Sequence, residues 1–531
     1  MSRRKKVSEK PALEFTPEFQ KTLKLLENTT KSVFITGRAG TGKSTLLDYF
    51  RNHTRKKVVV LAPTGVAALN VGGQTIHSFF AFRPDITVDR VKKLTSQKQA
   101  LMKDLEALII DEISMVRADL LDCVDRALRL NRDIPDLPFG GLQMILIGDL
   151  YQLPPVVKGS EKLVFSLHYD SPYFFSARVF QDENFKLEFV ELEKVFRQKE
   201  ASFLELLNAI RNRSIGEEQL ARLNARFKPD FNPPDEEFYV TLTSTNDAAD
   251  QINEEKLAKL PGKIRRYQGR IEGKFDQDSL PTAQSLAVKE GAQIMLLNND
   301  TYGRWVNGSI GRVEEIIEVE GQSDVIMVRL QDETLVDILP HQWEIFEFEY
   351  DRKKKKIFSQ VVGTFTQYPF RLAWAVTIHK SQGKTFDRVV VDIGRGTFAH
   401  GQVYVALSRC TSFRGLVLKK PIKKGHILMD YRVVRFVTQF QYQKAEEKIP
   451  IEAKKEIIEK AIAEGKYLEI TYLKPDDSKS RRKVRPLSIG TMEYRGKTFE
   501  ALMAYCYLRG EERCFRLDRI LELRLADLPS H

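Results

Sequence analysis

Cysteine is scarce in this chain. Four stand among 531 residues, at Cys123, Cys410, Cys506 and Cys514, scattered without the short paired spacings of a zinc site. That excludes a disulfide framework and fits a reducing compartment. Long apolar runs are also missing: none reaches the roughly 20 residues of a membrane-spanning helix, so no membrane partner is expected. The start, Met1-Ser2-Arg3-Arg4-Lys5-Lys6, is basic, but no apolar segment follows to make it a secretory signal. It reads as a solvated tail, with a nuclear address as the weaker alternative, and the expected location is the cytoplasm. Acidic excess is absent too. Lys and Arg number 84 against 72 Asp and Glu, a net charge of +12, which admits a nucleic-acid partner without proving one.

What is present is organised around Gly37-Arg38-Ala39-Gly40-Thr41-Gly42-Lys43-Ser44. It follows an apolar strand, Val33-Phe34-Ile35, and precedes a helical stretch, Thr45 to Phe50. Strand, glycine-rich loop and helix, with Lys then Ser, is the P-loop pattern. The glycines let backbone N–H groups turn in around phosphate oxygens, and the helix N-terminus adds its positive end. Lys43 is expected to neutralise the β- and γ-phosphates of ATP and Ser44 to hold Mg²⁺.

The following strands carry the rest of the chemistry. Val58 to Ala62 ends at Pro63-Thr64-Gly65-Val66-Ala67-Ala68. Leu108-Ile109-Ile110 ends in Asp111-Glu112. At a strand end after a P-loop, Asp111 is placed to hold Mg²⁺ through water and Glu112 to polarise the attacking water. Met144 to Ile147 leads to Gly148-Asp149 and on to Gln152-Leu153-Pro154-Pro155, where Gln152 is placed to sense the γ-phosphate or orient water. Parallel strands joined by helices set such a site at the strand C-termini. Residues 76–104 read as a small insertion whose Phe79, Phe80 and Phe82 fit a nucleic-acid contact and a local core equally well. Gln20, on a helical stripe before the first strand, fits an adenine reader by its amide or an exposed helix residue.

The α/β pattern restarts near Val195-Phe196-Arg197-Gln198, is interrupted by alternating runs over about 260–370, and returns at Thr377-Ile378-His379-Lys380-Ser381-Gln382-Gly383-Lys384-Thr385. Ile378 stands where the first glycine of a second P-loop belongs, so a second nucleotide site is rejected. Inside the β-rich part, Asp351 to Lys356 reads as a basic hairpin tip. Residues 431–450 read as a linker, and 451–531 as a helix stopped by Gly465 and a small β domain with a turn at Pro475-Asp476-Asp477. That tail carries 17 Lys and Arg against 14 Asp and Glu, so the basic surplus is not concentrated there.

In order and spacing these motifs resemble superfamily-one helicases. Phe139-Gly140-Gly141-Leu142-Gln143 running into Gly148-Asp149 and Pro154-Pro155-Val156 resembles the Pif-one DNA helicases over roughly residues 12–430. The resemblance implies two RecA-like domains, 1–190 (with the 76–104 insertion) and 191–430 (with the 260–370 insertion), and movement 5′ to 3′ on single-stranded DNA. It implies that Gln20 reads adenine, that Gly37, Gly40, Thr41, Gly42, Thr45 and Gly383 line the nucleotide, and that Arg197 and Arg409 reach the γ-phosphate. It also implies a DNA track of Pro63, Thr64, Val66, His77, His379 and Lys380, a monomer acting on single-stranded, forked or structured DNA, and work in replication, repair and telomere maintenance in a bacterial nucleoid.

The tail resembles a WYL domain, a β-barrel-like fold, on Arg482, Pro486, Ala504-Tyr505-Cys506 and Arg513 to Ile520. Glu500-Ala501-Leu502 replaces the tripeptide that names that family. Converging Arg482, Arg485, Arg513, Arg516 and Arg519 suit phosphates, and Tyr505 and Phe515 suit base stacking. The alternative pairs Asp518 with an arginine and buries Phe515 in the core. Two other classes compete for the whole chain. A WYL-type transcription regulator lacks a helix-turn-helix ahead of the tail, and a P-loop machine acting on a protein partner differs by having no DNA-stimulated ATPase.

Overall fold

The computed structural model describes residues 15–526 except 158, 199, 352, 355, 395, 398, 476 and 495. The basic N-terminal tail, Arg352 and Lys355 of the hairpin tip, and Asp476 of the tail's turn therefore lie outside the described residues. The chain forms two units, one of residues 1–203, 226–396 and 405–420, the other of 204–225, 397–404 and 421–531.

The first unit holds two parallel sheets. In the six-stranded one the order is Gln74–Thr75, Val58–Ala62, Ala107–Ile110, Gln143–Ile147, Ser32–Gly37, Leu187–Leu192, all parallel. Its central strands are buried throughout and, apart from Gln143, apolar: every residue of Ala107–Ile110 and Gln143–Ile147 is buried. Strands covered on both faces read as unbroken hydrophobic runs, which is why they stood out in the sequence. The four-stranded sheet runs Ala375–Thr377, Val240–Thr243, Val389–Asp392, Leu416–Leu418, also parallel. These are the two RecA-like cores.

Between Val240–Thr243 and Ala375–Thr377 the chain is antiparallel. One sheet of five strands runs from Leu335–Ile338 to Phe370–Leu372, and one of three pairs His341–Asp351, Lys356–Gln367 and Arg270–Gly273. The alternation of Val325–Leu330 keeps one face on a core of Ile294, Val328, Ile338 and Phe370. Phe79 and Phe80 are local core, buried and edge-to-face at 4.8 Å, with Phe79 also meeting Phe348. Of the two readings open for that cluster, the structure takes the core.

In the second unit, residues 431–450 depart from the linker expectation. Tyr431–Lys448 is an 18-residue helix capped by Asp430. Its Val433, Val434, Val437 and Ala445 are buried, an apolar stripe at helical spacing that the basic composition around it masked. Helix Ile451–Ala463 packs on a five-stranded antiparallel sheet of order Glu511–Arg516, Lys497–Cys506, Lys479–Tyr494, Tyr467–Leu473, Ile520–Ala526. The core under it includes Ile458, Leu468, Ile470, Leu502, Phe515 and Ile520. The register shifts between Pro486 and Ser488, where a proline has no N–H for the ladder and a bulge is the usual remedy. Asp477 pairs with Arg211 at 3.6 Å, both side chains almost fully buried. Among the described residues no helix is long and apolar enough to cross a membrane.

Candidate active site

The P-loop turns because two of its glycines hold backbone angles that other residues avoid, φ 80° at Gly40 and φ 84° at Gly42. Gly40 is also a close approach: a Cβ there would stand 2.5 Å from that of Arg197. The Phe196 N–H donates to the Gly40 carbonyl at 2.8 Å, so the segment that carries Arg197 is stitched to the loop. Helix Lys43–His53 starts directly at the loop, aiming its free N–H groups and positive end at the same place. Thr41 is buried and donates to the Arg38 carbonyl at 3.0 Å, while Ser44 and Thr45 are exposed. Lys43 Nζ donates to the loop's own carbonyls, Gly37 at 2.8 Å and Arg38 at 3.1 Å. Burial pulls its pKa down, and the charges of Asp149, Glu112 and Asp111 oppose that.

Asp111 and Glu112 stand just past the end of strand Ala107–Ile110. Glu112 has φ 50°, a left-handed conformation rare for a side chain of its size. Burial, then the neighbouring Asp111 charge, pushes its carboxyl up to about 7, against the pull of Lys43 and Arg409. Asp111 is raised by burial as well. Gln152 is buried, and its amide donates to Asp149 at 3.1 Å.

Two arginines stand here, Arg197 on the segment stitched to the P-loop and Arg409 in the second RecA-like core. Arg197 donates to the carbonyls of Ser408 at 3.3 Å and Gly383 at 3.4 Å. Arg409 is fully buried and donates to the carbonyls of Val405 at 2.9 Å, Lys384 at 3.3 Å and Ser381 at 3.4 Å. Gly383 has φ 78° in the tight turn where these bonds converge. Gln20 is exposed on helix Pro17–Asn28, beside the aromatic cluster of Phe15, Phe19 and Tyr49.

Along the other expected line, Thr64 caps helix Gly65–Asn70 by accepting from the Ala67 N–H, Val66 is 42% exposed and Pro63 is half-buried. His77 and His379 are half-buried with pKa values lowered by burial, hence neutral at pH 7. Lys380 is exposed at the next position.

Residues to which the sequence reading gave no role also meet here. Gln382 donates to Glu112 at 3.0 Å. Gln198 donates to the carbonyls of Ser408 and Cys410 at 3.0 and 3.1 Å. Lys384 donates to Asn307, which donates to Asn70 at 3.0 Å. Gln198 and Gln382 lie inside motifs quoted from the sequence, and only that position signalled them.

In the tail the expected convergence does not form. Strand alternation places Arg482, register partner of Ile470, on the core-facing side, and Arg516 and Tyr505 on the other. Arg516 pairs with Asp518 at 2.6 Å and lies 4.7 Å over Phe499. Phe515 is core, with Arg482 5.6 Å over its ring. Instead Arg482 shares a groove of about 620 Å³ with Lys474, Arg509, Arg513 and the rings of Tyr472 and Phe515, and Glu511 and Glu512 line it too, Glu511 pairing with Arg513 at 2.9 Å. Lys474 and Arg509 were not singled out from the sequence because they flank the strands rather than sit in the family-like runs.

A P-loop, a carboxylate pair at another strand end of the same sheet and an arginine from the second RecA-like core define a nucleotide-hydrolysing motor. Residues 18–221 match the family described as PIF1-like helicase, and 454–525 match the WYL domain. The ATP-dependent DNA helicase Pif1 of Campylobacter jejuni is 32% identical over 407 residues, 72% of this chain and 87% of that protein. Pif1 from Bacteroides sp in complex with ADP-AlF4 is 37% identical at TM-score 0.73, covering 81% of this chain and 98% of that one. The Bacteroides Pif1 bound to ssDNA is 37% identical at TM-score 0.58, covering 80% and 96%. The chain belongs to the PIF1-like helicase family and carries a WYL domain at its C-terminal end.

Proposed function

We propose that this protein is an ATP-dependent DNA helicase that moves 5′ to 3′ on single-stranded DNA and opens forked or structured duplexes, acting as a monomer in the cytoplasm. The observation that carries the reading is the meeting of Lys43, Glu112, Arg197 and Arg409, which come from both RecA-like cores. Phosphoryl transfer needs positioning and charge stabilisation more than covalent chemistry. Lys43 leaves its two loop carbonyls for the β- and γ-phosphates. Glu112 orients the attacking water and takes its proton. Arg197 and Arg409 supply positive charge when the cores close, which turns ATP binding into movement. Gln20 reads the adenine edge, and Gln152 is poised by Asp149 to report the γ-phosphate. Ser44 and Asp111 fit Mg²⁺, since both are oxygen donors. No group of three or more His, Cys, Asp or Glu among the described residues forms a metal cage, and Mg²⁺ prefers few protein ligands completed by phosphates and water. When bound, the ion neutralises charge on the phosphates.

Pro63, Thr64, Val66, His77, His379 and Lys380 form a track for one strand of DNA. Neutral imidazole, hydroxyl and backbone groups suit phosphate oxygens without reading bases. Single-stranded DNA is therefore expected to stimulate ATP hydrolysis whatever its sequence, with affinity falling as salt rises. Measuring ATPase rate and DNA affinity with two unrelated oligonucleotides at two salt concentrations tests this. Strong base dependence with little salt response overturns the track, and absence of DNA stimulation overturns the helicase reading.

The WYL domain is assigned a supporting hold on the strand through the groove of Lys474, Arg482, Arg509 and Arg513, with Arg516 and Tyr505 facing away from it. Replacing Lys474 and Arg513 together by Ala is expected to weaken single-stranded DNA binding severalfold and to flatten the log–log salt dependence by up to about two charges' worth. Fluorescence anisotropy across a salt series reads both. Unchanged affinity and slope leave the groove with no part in DNA binding.

A further inference from the structure

The turn over residues 377–384 reaches two places at once. His379 and Lys380 sit on the strand track proposed above. Two residues on, Gln382 Nε2 donates to Glu112 Oε2 at 3.0 Å, joining positions 270 residues apart. The turn between them is stiff. Ser381 N–H donates to the Thr377 carbonyl at 2.9 Å, Gln382 N–H to His379 at 3.1 Å, and Lys384 N–H to Ser381 at 3.0 Å. Lys380 N–H donates to Thr377 Oγ1 at 3.2 Å. A displacement at His379 or Lys380 therefore carries Gln382 with it. Lys384 extends the linkage through Asn307 to Asn70, the last residue of the helix that Thr64 caps. Both halves of the track are thus bonded to the turn that holds Glu112.

The bond has a chemical consequence. A general base needs a free lone pair aimed at the water whose proton it takes. The Gln382 amide occupies one on Oε2, and hydrogen bonds to an ionised carboxylate are among the stronger ones. We propose that Gln382 is a positioning residue that restrains Glu112 in the DNA-free enzyme, and that DNA seated on His379 and Lys380 shifts the turn and releases the carboxylate for hydrolysis. This rests on Glu112 being the base, as assigned above.

The test compares steady-state ATPase of the full-length wild type, Gln382→Ala, Gln382→Leu and Glu112→Gln, each without DNA and with saturating oligo-dT. Both Gln382 variants should raise DNA-free kcat by about tenfold, roughly one hydrogen bond to a charged group, and leave KM for ATP within about twofold. The ratio of DNA-saturated to DNA-free rate should collapse accordingly. A merely structural role would lower both rates together. DNA-free kcat that stays level or falls in both variants, while Glu112→Gln is inactive, overturns the restraint and leaves the base assignment standing. A Glu112→Gln enzyme that turns over normally overturns the base assignment, and the restraint with it.

Discussion

Replacing Glu112 by Gln will leave ATP binding near the wild-type level and slow hydrolysis by about 10²–10⁴-fold, the usual contribution of a positioned base. The substitution keeps the side chain's size and one acceptor oxygen, and removes the ability to take a proton. The site is sensitive to that change because Glu112 is held in a left-handed backbone conformation, φ 50°, with Lys43 and Arg409 acting on its charge. Such strain persists only where the surroundings fix it, so little freedom remains for another group to substitute. The check is paired: nucleotide affinity by fluorescent-analogue titration, and single-turnover hydrolysis of ATP. Retained affinity with lost turnover is the expected split. Hydrolysis at the wild-type rate removes Glu112 from the chemistry, and loss of both places its effect in folding or nucleotide binding.

The nucleotide-binding half of this site was legible because its information is local. Gly40, Gly42, Lys43 and Ser44 act within one loop and the helix it starts, and buried parallel strands declare themselves as apolar runs. The carboxylate pair was legible because it follows such a run. The hold on Glu112 was not, since Gln382 lies 270 positions away and nothing in either stretch encodes that meeting. The same limit explains the tail. Alternation assigns faces within one strand, but whether Arg482, Arg516 and Tyr505 converge depends on which face the helix Ile451–Ala463 covers. It covers the face of Arg482 and Phe515, so the arginines divide between the two sides. Residues 431–450 went wrong for another reason. Four buried apolar side chains, Val433, Val434, Val437 and Ala445, are enough to dock a helix, yet Arg, Lys, Glu and Gln around them dominate any compositional reading.

The second large effect is expected at Arg409. An arginine that completes a phosphoryl-transfer site contributes about 10³–10⁵ in turnover in comparable enzymes, and Arg409→Ala should lose DNA-stimulated ATPase on that scale while retaining DNA binding. The Arg409 guanidinium donates to the carbonyls of Val405, Lys384 and Ser381 and to Ser408 Oγ. Reaching a γ-phosphate means exchanging some of those bonds, and two of the carbonyls, Ser381 and Lys384, belong to the turn that bears Gln382 and Gly383. Arg409→Ala also removes one donor from those buried carbonyls; Ser381 keeps the Lys384 N–H and Val405 keeps the Ser408 hydroxyl, so the cost of about 1–3 kcal/mol applies only to a carbonyl left with no other donor. Loss of activity alone is therefore ambiguous. Arg409→Lys resolves it: the charge stays, the planar fork that serves several acceptors is lost, and one ammonium can still satisfy part of the turn. The expected order of DNA-stimulated kcat is wild type, then Lys, then Ala. Single-stranded DNA affinity should stay within about threefold across all three, since the track lies on other residues. Parallel loss of DNA affinity and turnover in both variants assigns Arg409 to holding the fold of the turn rather than to the γ-phosphate.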